Sequence, residues 1–301
     1  MANPKVSILM SVYNESTYEL DQSINSILEQ SFHDFEFIIV NDNPDNEILK
    51  KYLSKLEDNR IIVITNEKNL GLISSLNRAF KESRGEFIAR MDADDISFPT
   101  RIQEQYHYLK SHDIDMVGSY IKTIDSRGNV IKNTMKFPQH HRAICFFSKW
   151  GSCIAHPTWF ARREVFSSLR GYRNALYCED YDFILRALNK NFKLGNINKV
   201  LLKYRVRSNG ISKTNFGKQY LLKDYLSRHR NDNVLLTNEE IDNYLLSKQY
   251  ESDSIKYEEY VLLKSNLKNK RIKNIDTMFK NKYFWKDISE KIMLLLRESF
   301  F

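Results

Sequence analysis

G-E-F-I-A-R-M-D-A-D-D-I-S-F-P-T-R, residues Gly85 to Arg101, is the stretch whose reading decides the fold. Phe87, Ile88, Ala89 and Met91 make a short apolar run with the length of a buried strand. The run ends directly in Asp92-Ala93-Asp94-Asp95. Unpaired charge is costly to bury, so carboxylates at the end of a buried strand need a partner or water. Open α/β sheets bind their ligands at the carboxyl ends of the strands. The Asp-x-Asp spacing lets two hard oxygen donors approach one Mg²⁺ or Mn²⁺, which then bridges to phosphate oxygens. The alternative is a polar cap in which Asp95 begins the helix that follows.

Outward from this stretch, the first half of the chain alternates strand and helix patterns. Strands are expected at Val6 to Val12, Phe35 to Val40, Arg60 to Thr65 and Phe87 to Met91, and helices at Tyr18 to Leu28, Asn46 to Leu56 and Leu72 to Lys81. Repeated βαβ units imply a mainly parallel sheet with helices on both faces. Beyond it, Asp115 to Ile124 and Val200 to Val206 read as strands, with helices at Arg142 to Trp150, Arg163 to Ser168 and Cys178 to Asn189. After Gly217 there is no Gly and no Pro, and residues 215–301 read as several helices. The expected division is an α/β domain over 1–214 and a helical region over 215–301.

Composition narrows the class. The 301 residues are 42% hydrophobic and 28% charged, which suits a globular chain. No apolar run reaches the ~20 residues of a membrane span. Met1 to Lys5 lead straight into a strand pattern, so no signal peptide is expected and a cytoplasmic location is. Cys145, Cys153 and Cys178 lack metal or disulfide spacing and read as reduced thiols. The net charge of +8 favours anionic partners, phosphates or a membrane surface, without implying nucleic acid. Lys264 to Lys286 holds eight basic residues against Asp276 alone, and the last segment places Phe284, Ile288, Ile292 and Leu295 on one helix face. Such an end suits peripheral contact with an anionic membrane, or ordinary packing on the body.

Four further stations join the acidic stretch, and the first two are expected to open onto the same sheet edge as Asp92. Tyr13 and Asn14 follow the first strand, and Asp42 follows the second. Asp42 can accept from a base or a ribose, or simply serve as a turn or cap residue. Gly71, after the third strand, permits close backbone approach to a diphosphate at a helix start, though many such glycines only make turns. His156 reads as a structural or hydrogen-bonding histidine. Glu179-Asp180-Tyr181-Asp182 opens a helix; Glu179 suits the helix dipole and Asp182 can pair with Arg186. Asp180 at a helix start stays ionised at neutral pH and suits a general base.

The ordered series V-S-I-L-M-S-V-Y-N, I-I-V-N-D-N, N-L-G-L-I-S-S-L-N, G-E-F-I-A-R-M-D-A-D-D, H-P-T and E-D-Y-D-F-I-L-R resembles the family 2 glycosyltransferases of GT-A fold. The resemblance covers about residues 4 to 210 and is nearest to bacterial enzymes of lipooligosaccharide, O-antigen or capsule synthesis. It implies inverting transfer from a UDP-sugar to a glycan acceptor, lipid-linked at the cytoplasmic membrane face, with Mn²⁺ or Mg²⁺ as cofactor. By the resemblance Asp42 meets the uracil and Tyr13 and Asn14 lie near the base. Gly71 adjoins the diphosphate, Asp92 the ribose or metal, and Asp94 binds the metal directly. Asp180 is the catalytic base. Two departures stand out. Asn41 replaces a family Asp, and Arg207 replaces the His of a Y-R-x-H motif, so that Arg207 is expected to touch phosphate only. Two alternatives remain: a catalytically weak nucleotide-sugar-binding scaffold, and a nucleotidyltransferase. S-V-Y-N-E-S lacks the Gly-rich basic loop that the latter needs.

Overall fold

The computed structural model describes residues 3–175, 177–207, 216–230, 236–268 and 279–300. Its first part contains β1 (Val6–Val12), α1 (Thr17–Leu28), β2 (Phe35–Asn41), α2 (Glu47–Leu53), β3 (Ile61–Thr65), α3 (Leu72–Glu82) and β4 (Phe87–Arg90). Each lies within a few residues of its sequence expectation. Then come β5 (Ile96–Ser97), α4 (Arg101–Ser111), β6 (Met116–Ile124), β7 (Val130–Met135), α5 (His141–Phe147), β8 (Phe160–Arg162), α6 (Arg163–Leu169), α7 (Glu179–Asn189) and β9 (Leu194–Arg205). The described C-terminal helices are α8 (Phe216–Arg228), α9 (Asn238–Leu245), α10 (Lys248–Lys268) and α11 (Lys282–Phe300).

One sheet carries the molecule, in the order β3-β2-β1-β4-β8-β6-β9-β5, with β7 paired to β6. Strands β3, β2, β1 and β4 are parallel, as the βαβ pattern requires, and β6 runs parallel to β9. The remaining pairings, β4 with β8, β8 with β6, β6 with β7 and β5 with β9, are antiparallel, so the sheet is mixed. The βαβ rhythm covers only the first half of the chain; hairpin and long-range pairings build the second.

Both faces of the sheet are buried, and β1 shows how. Val6, Ile8, Met10 and Val12 join one core with Leu20, Ile24 and Ile27 of α1 and Ile102 and Leu109 of α4. Leu9 points to the opposite core with Leu76 and Ala79 of α3, Val165 and Phe166 of α6, and Phe183 and Ile184 of α7. The period of two along a strand makes this division automatic. Helix α1 begins with a reciprocal capping box between Ser16 and Glu19. Asp95 does not begin α4; that helix starts at Arg101, after its N-cap Thr100. Between them β5 pairs with β9, which places Asp95 inside the protein.

The C-terminal helices are anchored on α7. Cys178, Tyr181 and Leu185 share a cluster with Leu222, Leu226, Ile241 and Tyr244. A second cluster of Tyr220, Tyr257, Tyr260 and Tyr283 holds α8, α10 and α11 together. Helix α11 is turned opposite to a simple amphipathic reading. Tyr283 is buried, and the charged Lys286 and Glu290 point inward to Asp224 and Lys223. Trp285, Ile292, Leu295 and Leu296 are exposed. Three lysines of the basic run are engaged: Lys264 with Asp287, Lys282 with Asp253 and Lys286 with Asp224. Residues 269–278 of that run lie outside the described residues. No described helix is long and apolar enough to cross a membrane. The three cysteines are free thiols.

Candidate active site

Parallel register gathers the first three loops. Val12 pairs with Asn41, and Asn41 with Thr65, so the chain leaves β1, β2 and β3 at one edge. Asn43 ties the first two loops, donating from Nδ2 to the Tyr13 carbonyl at 3.1 Å and to Asn14 Oδ1 at 2.8 Å. The Tyr13 ring stays exposed. Asp42 is buried and its carboxylate organises the third loop. Oδ1 accepts from Asn66 Nδ2 at 2.7 Å and from Leu70 N at 2.8 Å; Oδ2 accepts from Gly71 N at 2.9 Å. It is therefore no cap of α2, whose N-cap is Asn46. Gly71 takes φ +83° and has open space where a Cβ would stand. Its N–H already belongs to Asp42 and Asn69, so what it offers a ligand is shape. Asn41 is buried; its Oδ1 accepts from Asn43 N, while Nδ2 has no partner among the described residues.

The acidic loop after β4 is framed by four arginines. Arg90 is buried in the sheet and reaches Asp92 through Nη2 at 2.5 Å. Burial works against its charge, but Asp92 and then further anions outweigh that, and the guanidinium is held ionised. Arg101, also buried, donates to the carbonyls of Arg90 and Pro157. Burial lowers its pKa to about 9. Arg205 fixes the loop from the last strand. Its backbone N donates to Asp95 Oδ1 at 2.8 Å, Nε to the Asp94 carbonyl at 2.7 Å and Nη2 to Gln22 at 2.8 Å. Arg207 lies just past β9, with Nε 2.8 Å from Asp94 Oδ2 and Nη2 3.1 Å from Glu19 Oε2. In this fold the charged neighbours of Arg207 are these two carboxylates. Burial and the nearby Asp92 push Asp94 up to about 7.

The opposite wall comes from the segment leading into α7. His156 is hydrogen-bonded to the Tyr172 hydroxyl at 2.8 Å and stands edge-on to Trp159. Burial, then Arg90, hold it well below the usual imidazole range, so it is neutral and structural as expected. Asp182 binds Arg173 and Arg186, which takes it out of the chemistry. Glu179 and Asp180 open α7 on its partly buried side. Burial, then Asp180, push Glu179 up to about 7. Burial raises Asp180 as well, opposed by the hydrogen bond from Tyr181 N at 2.7 Å and by Arg90. Arg90 and Asp92 both act electrostatically on Glu179, Arg90 favouring and Asp92 opposing its ionised form.

The donor set suits a hard cation. Asp92 and Asp94 remain partly exposed, and each meets its arginine through a single oxygen. Among the described residues no cluster of three or more His, Cys, Asp or Glu forms a cage. One or two carboxylates completed by substrate phosphates is the usual arrangement for Mg²⁺.

The family model described as Glycosyl transferase family 2 matches residues 7–170, more than half of the chain. The chain belongs to that family. An uncharacterised glycosyltransferase of Methanocaldococcus jannaschii is 37% identical over 227 residues, covering 73% of this chain and 78% of its own. The O-antigen biosynthesis glycosyltransferase WbnJ of Escherichia coli is 36% identical over 240 residues, 76% of this chain and 92% of its own. Among solved structures, S. aureus TarS in complex with UDP-GlcNAc superposes with a TM-score of 0.59 at 20% identity, covering 80% of this chain and 70% of that one. The likeness to TarS shows the fold. Family membership makes the protein a glycosyltransferase and sets the nucleotidyltransferase alternative aside.

Within this family member, the structure brings Tyr13, Asn14, Asp42, Gly71, Asp92 and Asp94 to one sheet edge and sets Asp180 within electrostatic range through Arg90. The sequence reading passed over Arg90, Arg101, Arg205, Glu15 and Glu19. Arg90 carried a signal: a cation inside F-I-A-R-M, a run otherwise fit for burial, needs a buried anion.

Proposed function

We propose that the protein transfers a sugar from a UDP-sugar to a hydroxyl of a glycan acceptor with inversion, in bacterial surface polysaccharide synthesis. The observation that carries this reading is the joint placement of Asp92 and Asp94 with Asp180 around the buried Arg90. Asp42 holds the Asn69–Gly71 loop in shape beside the base and diphosphate, with Tyr13 and Asn14 forming the neighbouring rim. Asp92 and Asp94 would hold Mn²⁺ or Mg²⁺, which supplies positive charge for the departing diphosphate. Asp180 accepts the acceptor's hydroxyl proton as the oxygen bonds to the anomeric carbon. The bond from that carbon to the diphosphate breaks, and its electron pair leaves with UDP. One displacement converts an α-linked donor into a β product, and no covalent enzyme intermediate forms. UDP-GlcNAc in the TarS complex and the O-antigen role of WbnJ support the donor and the pathway class.

The acceptor is a lipid-linked glycan, reached while the protein rests on the cytoplasmic membrane face. The outward apolar face of α11, with Trp285 and Ile292 beside exposed lysines such as Lys291, supports this part. Incubation with a panel of UDP-sugars and Mn²⁺, read as UDP release with and without lipid-linked acceptors, tests the reading. Release from no donor, with all variants folded, would leave a nucleotide-sugar-binding scaffold instead.

A further inference from the structure

We propose that Arg207 is a counter-cation built into the donor site: it rests on Asp94 and Glu19 and turns to the donor's diphosphate when that arrives. The inference deepens the proposed function and rests on its UDP-sugar donor.

Arg205 and Arg207 differ in how they are held. Arg205 is committed, with its guanidinium donating to the carbonyls of Asp94, Asp125 and Ser126 and to Gln22 Oε1. Arg207 lies beyond the end of β9 and keeps 28% of its side chain exposed. Its Nε and Nη2 stand within ion-pair distance of Asp94 and Glu19, yet neither makes a hydrogen bond among the described residues. The contact is one of charge, without the parallel fork of a committed arginine–carboxylate bridge. Glu15 adds a third carboxylate in electrostatic range. Arg207 is therefore a cation among anions whose Nε and Nη2 are not committed to a hydrogen bond among the described residues.

Two consequences follow from guanidinium chemistry. Arginine has five N–H donors and no lone pair to give a metal, so it competes with a divalent ion for Asp94. Its planar fork matches phosphate, so it adds to a divalent ion at the diphosphate. The protein alone should bind Mn²⁺ weakly, while UDP should bind appreciably without metal.

The test uses the full chain and two readouts that need no turnover. Calorimetry measures UDP affinity in EDTA and in Mn²⁺, and electron paramagnetic resonance counts free Mn²⁺ with protein alone. Arg207→Ala should weaken UDP binding in EDTA by about 10-fold to 100-fold, the worth of a charge-assisted hydrogen bond. It should tighten Mn²⁺ binding to the protein alone. Glu19→Gln keeps the capping box of α1 but loosens Arg207, so metal-free UDP binding should strengthen. Opposite signs from the two variants exclude simple misfolding. If UDP binds but neither variant moves its affinity in EDTA or the Mn²⁺ affinity, the role of Arg207 is overturned while the donor reading stands. If UDP binds under no condition, both are overturned.

Discussion

Arg90 and Asp92 form a 2.5 Å ion pair in which the arginine side chain is 2% exposed and the aspartate side chain 28%. The buried partner cannot move to water, so it is the exposed carboxylate whose position is dictated. Asp92 is thereby aimed from within the sheet, and Arg90 also feels Asp95 and acts on Glu179 and Asp180. Removing one member of a buried pair costs about 3–5 kcal/mol, because the other is left uncompensated. Arg90→Met should lower unfolding free energy toward that range in a urea melt. A loss below about 1 kcal/mol would mean that the charges around Arg90 rearrange freely.

Asp94→Ala should remove the metal-dependent part of UDP binding and leave the fold intact. The side chain is partly exposed and its tie is to Arg207. Calorimetry with UDP, in Mn²⁺ and in EDTA, gives the comparison. Equal Mn²⁺ enhancement in variant and wild type would contradict a metal role for Asp94.

Asp180→Asn should keep donor binding and lose transfer by ~10² to 10⁴, the usual contribution of a general base. The amide still fits beside Tyr181 N, so the start of α7 is preserved. Near-normal turnover in this variant, with an inactive Glu179→Gln, would assign the base to Glu179.

Glu179 predicts a pH signature in stability. Its carboxyl titrates near 7 in the fold and at its ordinary value of 4.5 when unfolded. Between those values the folded state binds more protons, so this group's contribution is fully present below about 4.5 and lost as pH rises toward 7. Glu179→Gln removes that loss. The melting temperature of the variant relative to wild type should therefore be more favourable at pH 8 than at pH 5. A pH-independent difference would show that Glu179 ionises normally.

Helix α11 makes separate predictions for its two faces. Tyr283 is buried, and Lys286 and Glu290 pair with Asp224 and Lys223, so deleting residues 264–301 should lower the melting temperature. Replacing Trp285 and Ile292 with Ser should leave the melt nearly unchanged, yet reduce sedimentation with anionic vesicles at low salt. Undiminished vesicle binding by the double variant would place membrane contact elsewhere or nowhere.

The α/β half was legible because each of its signals is local. The apolar alternation of β1, the capping residues before α1 and the acidic end of β4 are all visible within a few residues. Asp42, Asp92 and Asp94 could be grouped because loops after parallel strands open together, whereas Asp180 was named from its place at a helix start and from the family resemblance. What stayed hidden depends on long-range pairing. Asp95 reads as a helix cap until β5 is seen to pair with β9, 110 residues from Asp95 to Arg205. Arg207 meets Glu19 only because β9 lies beside β5 and α1. The mixed second half of the sheet has no period in sequence, and α11 buries its charged side because Asp224 and Lys223 wait on α8.

The clasp between Arg205 and the Asp94–Asp95 peptide also sets a timetable. Among the described residues, strand β9 is the last strand made during synthesis, yet it sits inside the sheet between β6 and β5. A nascent chain that has released everything through α6 has all three early loops and the acidic loop itself. It still lacks the strand that fixes Asp95 and brings Arg207 to Asp94. The acidic loop is therefore held in its final shape only after the strand carrying Arg205 has docked, so the first half of the chain cannot complete this edge of the sheet by itself.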